Sequence, residues 1–289
     1  MNDFPEAAAR ELVATALRED LGPEGLDVTT LATIPADQVR TAEIVARAPG
    51  VIAGGPVIGI VLEAVAGLIG AKVPDIEILV PDGTRLVRGD VIARVEGPTR
   101  VILMAERTML NIISRLSGVA THTRRWADEL EGTATMVLET RQTTPGMRWL
   151  EKYAVRAGGG TNKRMGLYDV AMIKDNHKIA AGSVAAAYAL VRERFPDVAI
   201  QVEVTTPAEA QEAYDAGARF IMCDNMDVAT LGETVSLLRA AQEPVEIEAT
   251  GGMTLDVVAE YAATGVDYVS VGGLTHSSPI VDIALDLAD

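Results

Sequence analysis

Residues 198–225 read VAIQVEVTTPAEAQEAYDAGARFIMCDN, and this stretch decides the fold. An aliphatic run (VAIQVEV) ends in polar residues, an Ala/Glu-rich helical segment follows, and a second aliphatic run (ARFIMCDN) ends in Asp224 and Asn225. Continuous apolar runs joined by short helical segments describe parallel strands that are buried on both faces and linked by crossover helices. The same rhythm extends in both directions. Upstream lie TMVLETR (135–141) and DVAMIKDN (169–176), with RWLEKYAVRAG (148–158) and AAAYALVRERF (185–195) as helical segments. Downstream lie VEIEATGG (245–252), DVVAEYAATG (256–265) and VDYVSVGG (266–273). Six such strands in one region favour a barrel or partial barrel over a doubly wound sheet.

The part before this region has a different pattern. EAAARELVATALREDL (6–21) places Leu12, Val13, Ala16 and Leu17 on one helical face. Short alternating runs follow, AEIVARA (42–48) and DIEILV (75–80), with Asp82-Gly83 and Gly89-Asp90 as turn signals. A long helical segment, RVILMAERTMLNIISRLSG (100–118), is expected to end at Gly118. The chain therefore divides into a small α/β domain over 1–115, a barrel over 116–275, and a C-terminal segment over 276–289 that can pack back on the first domain. The apolar stretch 51–71 carries Glu63, Pro56 and five glycines, and is expected to be a buried segment.

Composition narrows the function. With 48% hydrophobic and 23% charged residues the chain is of ordinary globular type, and 4% aromatics means an aliphatic core. A lone cysteine, Cys223, rules out an internal disulfide and suits a reducing compartment; it reads as core filler. The acid-bearing N-terminal stretch MNDFPEAAARELV lacks the basic and apolar regions of a secretion signal, so a cytoplasmic location is expected. A formal net charge of −16 argues against nucleic acid as a partner. Yet eight Lys/Arg face only three Asp/Glu between Arg141 and Lys178. A basic island in an acidic chain is suited to holding a small anion.

In barrels the strand C-termini carry the active site. Those positions here are Glu139 and Arg141, then Lys174 to Asn176, Glu203, Asp224 and Asn225, Glu248, Thr250 to Gly252, and Gly272-Gly273. Arg141, Lys163, Arg164 and Lys174 are cations able to grip carboxylates or phosphates. Glu203 and Asp224 are carboxylates on neighbouring strands, suited either to Mg²⁺ or to a cationic transition state. The glycine pairs Gly251-Gly252 and Gly272-Gly273 leave backbone amides bare for a phosphate. His122, His177 and His276 show no zinc spacing; His177 and His276 suit hydrogen-bonded structural roles, and His122 a helix surface.

At these residues the chain resembles the quinolinate phosphoribosyltransferase (nicotinate-nucleotide pyrophosphorylase, carboxylating) family. The matching stretches are DVTTLAT (27–33), AERTMLNIISRLSGVAT (105–121) and TRQTTPGMRWLEKYAVRAGGGTNKRMGLYDVAMIKDNH (140–177), followed by QVEV (201–204), MCDN (222–225), ATGG (249–252) and GVDYVSVGGLTHS (265–277). The resemblance implies an N-terminal α/β sandwich and an open α/β barrel of the type II phosphoribosyltransferase kind. It implies transfer of phosphoribose from phosphoribosyl pyrophosphate to quinolinate with loss of CO₂, assisted by substrate-bound Mg²⁺ and no organic cofactor. It further implies a homodimer with shared sites, or a larger assembly, and no membrane partner. Position by position, Arg107 (from the second subunit), Arg141, Gln142, Lys163, Arg164 and Lys174 would bind substrate. Lys174, Glu203 and Asp224 would serve catalysis, and Glu203 and Asp224 would also face the metal. Thr250, Gly251, Gly252, Gly272 and Gly273 would lie at the phosphate.

Three segments depart from the family pattern. Glu139-Thr140-Arg141-Gln142 stands where Asp-Thr-Arg-Lys is usual, Thr161-Asn162-Lys163-Arg164 where Val-Asn-His-Arg is usual, and Thr250 where Ser is usual. A cation is lost at Gln142 and one gained at Lys163. This leaves open compensation within a quinolinate enzyme, a paralogue for another aromatic acid, or a non-catalytic binder of phosphoribosyl pyrophosphate. Lys174 as a Schiff-base nucleophile is a further alternative from another enzyme class.

Overall fold

The computed structural model describes residues 4–288, and the chain divides into two units by its internal contacts. The first holds the residues up to Arg124, Thr143–Gly159 and those from Leu274 on; the second holds Arg125–Gln142 and Gly160–Gly273.

In the first unit, strands β1 (Val39–Ala46), β2 (Gly50–Val51), β3 (Asp75–Ile78), β4 (Arg85–Leu86) and β5 (Val91–Pro98) come from the N-terminal part. β2 pairs with β4 as a separate ribbon, and β1, β3 and β5 join an antiparallel sheet. Alternation on β1 buries Ala42, Ile44 and Ala46 completely. Helix Glu6–Leu21 turns Ala9, Val13, Leu17 and Leu21 to the core, a stripe that overlaps the expected one at Val13 and Leu17. The apolar stretch after β2 forms helix Pro56–Ile69, opened by proline at its first turn and closed by left-handed Gly70. Among the described residues no helix is long and apolar enough to cross a membrane.

Helix Thr99–Glu129 runs 31 residues without a break, past Gly118 and past the expected boundary at 115/116. Gly118 does not end the helix. A side chain there would collide with the Pro279 carbonyl, so this glycine is a close-packing position. Helix Arg148–Ala157, expected among the barrel crossovers, belongs instead to the first unit. Leu150, Ala154 and Val155 join its hydrophobic core, and the Tyr153 hydroxyl donates to Asp82 at 2.7 Å. Its Glu151 is fully buried and accepts from Arg115 (2.8 Å), the Thr144 amide (2.9 Å) and the Thr144 hydroxyl (2.7 Å).

In the second unit, β6 (Met136–Leu138), β7 (Val170–Ile173), β8 (Ala199–Val204), β9 (Phe220–Asp224), β10 (Glu246–Thr250) and β11 (Tyr268–Ser270) form one parallel sheet in the order β6-β11-β10-β9-β8-β7. From β7 to β11 each strand lies beside its successor, and the first strand, β6, lies beside the last, β11. That is the circular order of a barrel, opened between β6 and β7. At the opening, Thr161 bridges Leu138 in parallel, so the segment before β7 extends the β6 edge. Helices Val184–Arg194, Pro207–Asp215 and Val228–Arg239 start at Ser183, Thr206 and Asp227, whose side chains accept from backbone amides. The last strand, β12 (Ile283–Leu287), returns to the first unit and pairs antiparallel with β1, giving its sheet the order β12-β1-β5-β3.

Candidate active site

At the C-terminal end of the open barrel a cavity of about 340 Å³ lies between the β6 and β7 ends. Thr140, Arg141 and Gln142 follow β6, Lys163 and Arg164 come from the segment entering β7, and Met172 and Lys174 come from β7 and its end. All four expected cations thus meet at one cavity.

Their commitments differ. Arg164 donates from Nη1 to the Val170 carbonyl at 3.1 Å, while its Nε is buried without a hydrogen-bond partner. Burial, and then the charge of Arg141, push the Arg164 pKa down, against a smaller opposing pull from Asp169. A buried guanidinium N–H lacking an acceptor, beside a second guanidinium, has the electrostatics of an oxyanion site. Asp169 shapes the loop that carries Arg164: its carboxylate accepts from the amides of Met165 (2.7 Å), Gly166 (3.1 Å) and Val170 (3.1 Å). Burial disfavours that charge, but the amide bonds outweigh it and hold the Asp169 pKa below its usual value.

Lys163 does not stand ready for a ligand as its sequence position suggested. Its ammonium lies 2.5 Å from Glu248 Oε1, with the side chains only 8% and 0% exposed, and its backbone amide donates to Glu139 at 2.6 Å. The same Glu248 oxygen accepts from the Ser270 hydroxyl at 2.6 Å. The cation gained at Lys163 is therefore neutralised within the fold and does not replace the one lost at Gln142. Gln142 is exposed and its backbone N–H donates to the Thr140 hydroxyl at 3.1 Å.

Lys174 pairs with Glu203 at 2.5 Å, with Lys174 half exposed. An ammonium committed to a carboxylate gives no ground for the Schiff-base alternative. His177 accepts the Lys174 amide on Nδ1 at 3.0 Å and so caps the helix Asp175–Ala181. Register places Glu203 beside Met222, so Asp224, two residues on, projects from the same sheet face as Glu203. Asp224 accepts from the Asn225 amide group at 2.9 Å. Asn225 is in the left-handed region, and a side chain at Gly251, itself at φ +90°, would strike the Asn225 side chain. Thr250 is the register partner of Asp224, and Gly272-Gly273 follow β11.

Arg107 is exposed on helix Thr99–Glu129 of the first unit, 3.7 Å from Glu106. His122 is not a free surface residue: its Nδ1 lies 2.9 Å from the Ser278 hydroxyl. His276 lies 2.6 Å from the Ser277 hydroxyl. Cys223 is buried and its thiol is pushed up to about 12, chiefly by burial. Sequence reasoning noticed Glu139 and Glu248 as strand ends without seeing their partner, and it missed Asp169. The signal for Asp169 was its place four residues after Met165 in the loop MGLYD, a spacing at which a carboxylate can close a turn.

Comparisons with known proteins agree with this fold. The family described as quinolinate phosphoribosyl transferase matches through its N-terminal domain over residues 27–117 and its C-terminal domain over residues 119–286. A nicotinate-nucleotide pyrophosphorylase [carboxylating] of Mycobacterium leprae is 44% identical over 99% of this chain and 100% of its own. The probable enzyme of that name from Bacillus subtilis is 42% identical over 93% of this chain and 90% of its own. Among solved structures, the nicotinate-nucleotide pyrophosphorylase of Francisella tularensis superposes with a TM-score of 0.90 at 32% identity, covering 99% of this chain and 98% of that one. With both domains matched in order and the cations gathered at the barrel mouth, this chain belongs to the quinolinate phosphoribosyl transferase family.

Proposed function

We propose that this chain transfers the phosphoribosyl group of phosphoribosyl pyrophosphate to quinolinate and releases CO₂, yielding nicotinate mononucleotide and pyrophosphate, a step of NAD biosynthesis. The observation that carries this reading is the buried, unpartnered Arg164 Nε beside Arg141 at the mouth of an open barrel. Two guanidiniums suit the two carboxylates of a pyridine dicarboxylate, each in a planar two-point grip.

In the transfer step the ribose C1–O bond to pyrophosphate breaks, and a bond forms between C1 and the pyridine nitrogen. Positive charge builds on the ribose ring, and the carboxylates Glu203 and Asp224 stabilise it. The ribosylated nitrogen is cationic, so the adjacent ring carbon can keep the electron pair when its carboxylate leaves as CO₂. That carbon then takes a proton from solvent. Arg141 and Arg164 orient the ring through both steps. Lys174, held by Glu203 in the free protein, is exposed enough to turn to an incoming anion. Thr250, Gly251, Gly252, Gly272 and Gly273, at the ends of β10 and β11, receive the 5′-phosphate.

A Mg²⁺ ion fits a donor set of two carboxylates completed by substrate oxygens. Among the described residues no three His, Cys, Asp or Glu cluster as a metal cage. Two carboxylate residues on adjacent strands suit an ion bound mainly by substrate oxygens, and Glu203 and Asp224 would hold it. When bound, it supplies positive charge to the departing pyrophosphate. No organic cofactor enters the reaction, and a cytoplasmic location accords with a buried free thiol.

The test is to incubate the protein with quinolinate, phosphoribosyl pyrophosphate and Mg²⁺ and to measure nicotinate mononucleotide by chromatography. Product is expected; its absence from folded protein that binds phosphoribosyl pyrophosphate overturns the reading. A homodimer in which Arg107 completes the neighbouring site is supported by its exposure. Mixing inactive Arg107→Ala and Lys174→Ala proteins should restore about a quarter of wild-type activity through hybrid sites, whereas no recovery despite subunit exchange rejects sharing.

A further inference from the structure

Just behind the Lys174–Glu203 pair lies a second lysine that the reaction does not use. Lys178 is 8% exposed on helix Asp175–Ala181. Its ammonium lies 2.7 Å from Asp175 and 3.2 Å from Glu209. The two carboxylates sit on different β/α units. Asp175 directly follows Lys174, and Glu209 belongs to helix Pro207–Asp215, which follows β8. Glu209 also accepts from the Thr205 amide (2.8 Å) and hydroxyl (3.0 Å), two residues beyond Glu203. One buried cation thus ties the backbone beside Lys174 to the backbone beside Glu203. Burial lowers the Lys178 pKa, but bonds to Asp175 and Glu209 outweigh it and raise it, so the tie stays charged through the neutral range.

We infer that Lys178 is a positioning residue: it clamps the C-terminal ends of β7 and β8 so that Lys174 and Glu203 meet in the geometry used for transfer. The inference rests on the proposed reaction for its kinetic consequence, but not for its structural one. No other contact described between the two strand ends joins their flanking helices through a buried charge. Arg141 and Arg164 lie on other segments, so the clamp acts through Lys174 and Glu203 and leaves the two guanidiniums in place.

The experiment uses the full chain and two variants, Lys178→Met and Glu209→Gln. Met keeps the aliphatic volume of lysine, and Gln keeps an acceptor for Thr205 while removing the charge that faces Lys178. Acetylation of Lys174 by acetic anhydride is followed by peptide mass spectrometry, with exposed Lys72 as internal reference. An amine released from its carboxylate acylates faster, so the Lys174/Lys72 ratio should rise severalfold in Lys178→Met and less in Glu209→Gln. In the same proteins kcat should fall about 10- to 100-fold with KM for the acid within about twofold. An unchanged Lys174/Lys72 ratio in folded Lys178→Met protein overturns the clamp, whatever happens to kcat. Should that variant not fold, an unchanged ratio in Glu209→Gln does the same. Because labelling needs no substrate, failure of the proposed reaction would show only in the assay for nicotinate mononucleotide, and failure of the clamp only in the ratio.

Discussion

Two lysine–carboxylate pairs serve the open end of the barrel at the same separation, 2.5 Å, and they differ in almost everything else. Lys163–Glu248 is sealed, with side chains 8% and 0% exposed; Lys174–Glu203 opens to solvent, at 49% and 10%. Geometry alone would call them equivalent. Burial separates them, because a desolvated charge cannot give up a counterion cheaply, whereas a half-exposed one can exchange a carboxylate for water or an incoming phosphate. The sealed pair is part of the fold, anchoring the segment that presents Arg164. The open pair is the one that the proposed chemistry uses.

The sharpest way to break this contrast is to remove Lys174. Lys174→Ala should lower kcat/KM by about 1,000-fold, or about 4 kcal/mol of transition-state stabilisation, with a thermal midpoint within about 2 °C of wild type, as removal of a half-exposed ion pair implies. Steady-state assays beside calorimetry check both halves. Lys163→Met should do the opposite, leaving Glu248 buried and uncompensated. It should cost about 3–5 kcal/mol in denaturant unfolding, and pairing it with Glu248→Leu should recover much of that loss. If Lys163→Met is as stable as wild type but inactive, the distinction drawn from burial is wrong.

A smaller effect comes from pH. The folded-state pKa of Asp169 lies below its ordinary value near 3.8, so its contribution to the Arg164 loop is complete above that value and is lost as pH falls through the lower, folded value. Binding of phthalate, a non-reacting dicarboxylate probe, to Asp169→Asn should be about tenfold weaker at pH 7 than to wild type. The variant should also lack the wild-type loss of loop order below about pH 4. Equal binding by variant and wild type would take Asp169 out of the site's support.

Much of the fold was legible because strand and helix signals are local. All six barrel strands appear where the aliphatic runs stand, and their polar ends converge. The errors are equally instructive. Gly118 read as a stop because glycine weakens helices, yet tertiary contact with the Pro279 backbone uses the missing side chain. Helix Arg148–Ala157 read as a barrel crossover because it stands between two barrel strands, but its apolar face and Tyr153 are satisfied in the first unit. His122 read as a surface residue, since its partner Ser278 is 156 residues away.

Local pattern and residue type therefore determined the alternation of strands and helices, the aliphatic core and the basic island at the strand ends. These follow from hydrophobic periodicity and from charges that any reader of the chain can count. Only the tertiary structure decided which of those charges are spent. Lys163 meets Glu248 across 85 residues, Arg115 meets Glu151 across 36, and Lys178 meets Glu209 across 31. A cation carries the same charge at each of these positions, and what it can do depends on the distance to a carboxylate and on how much water remains between them.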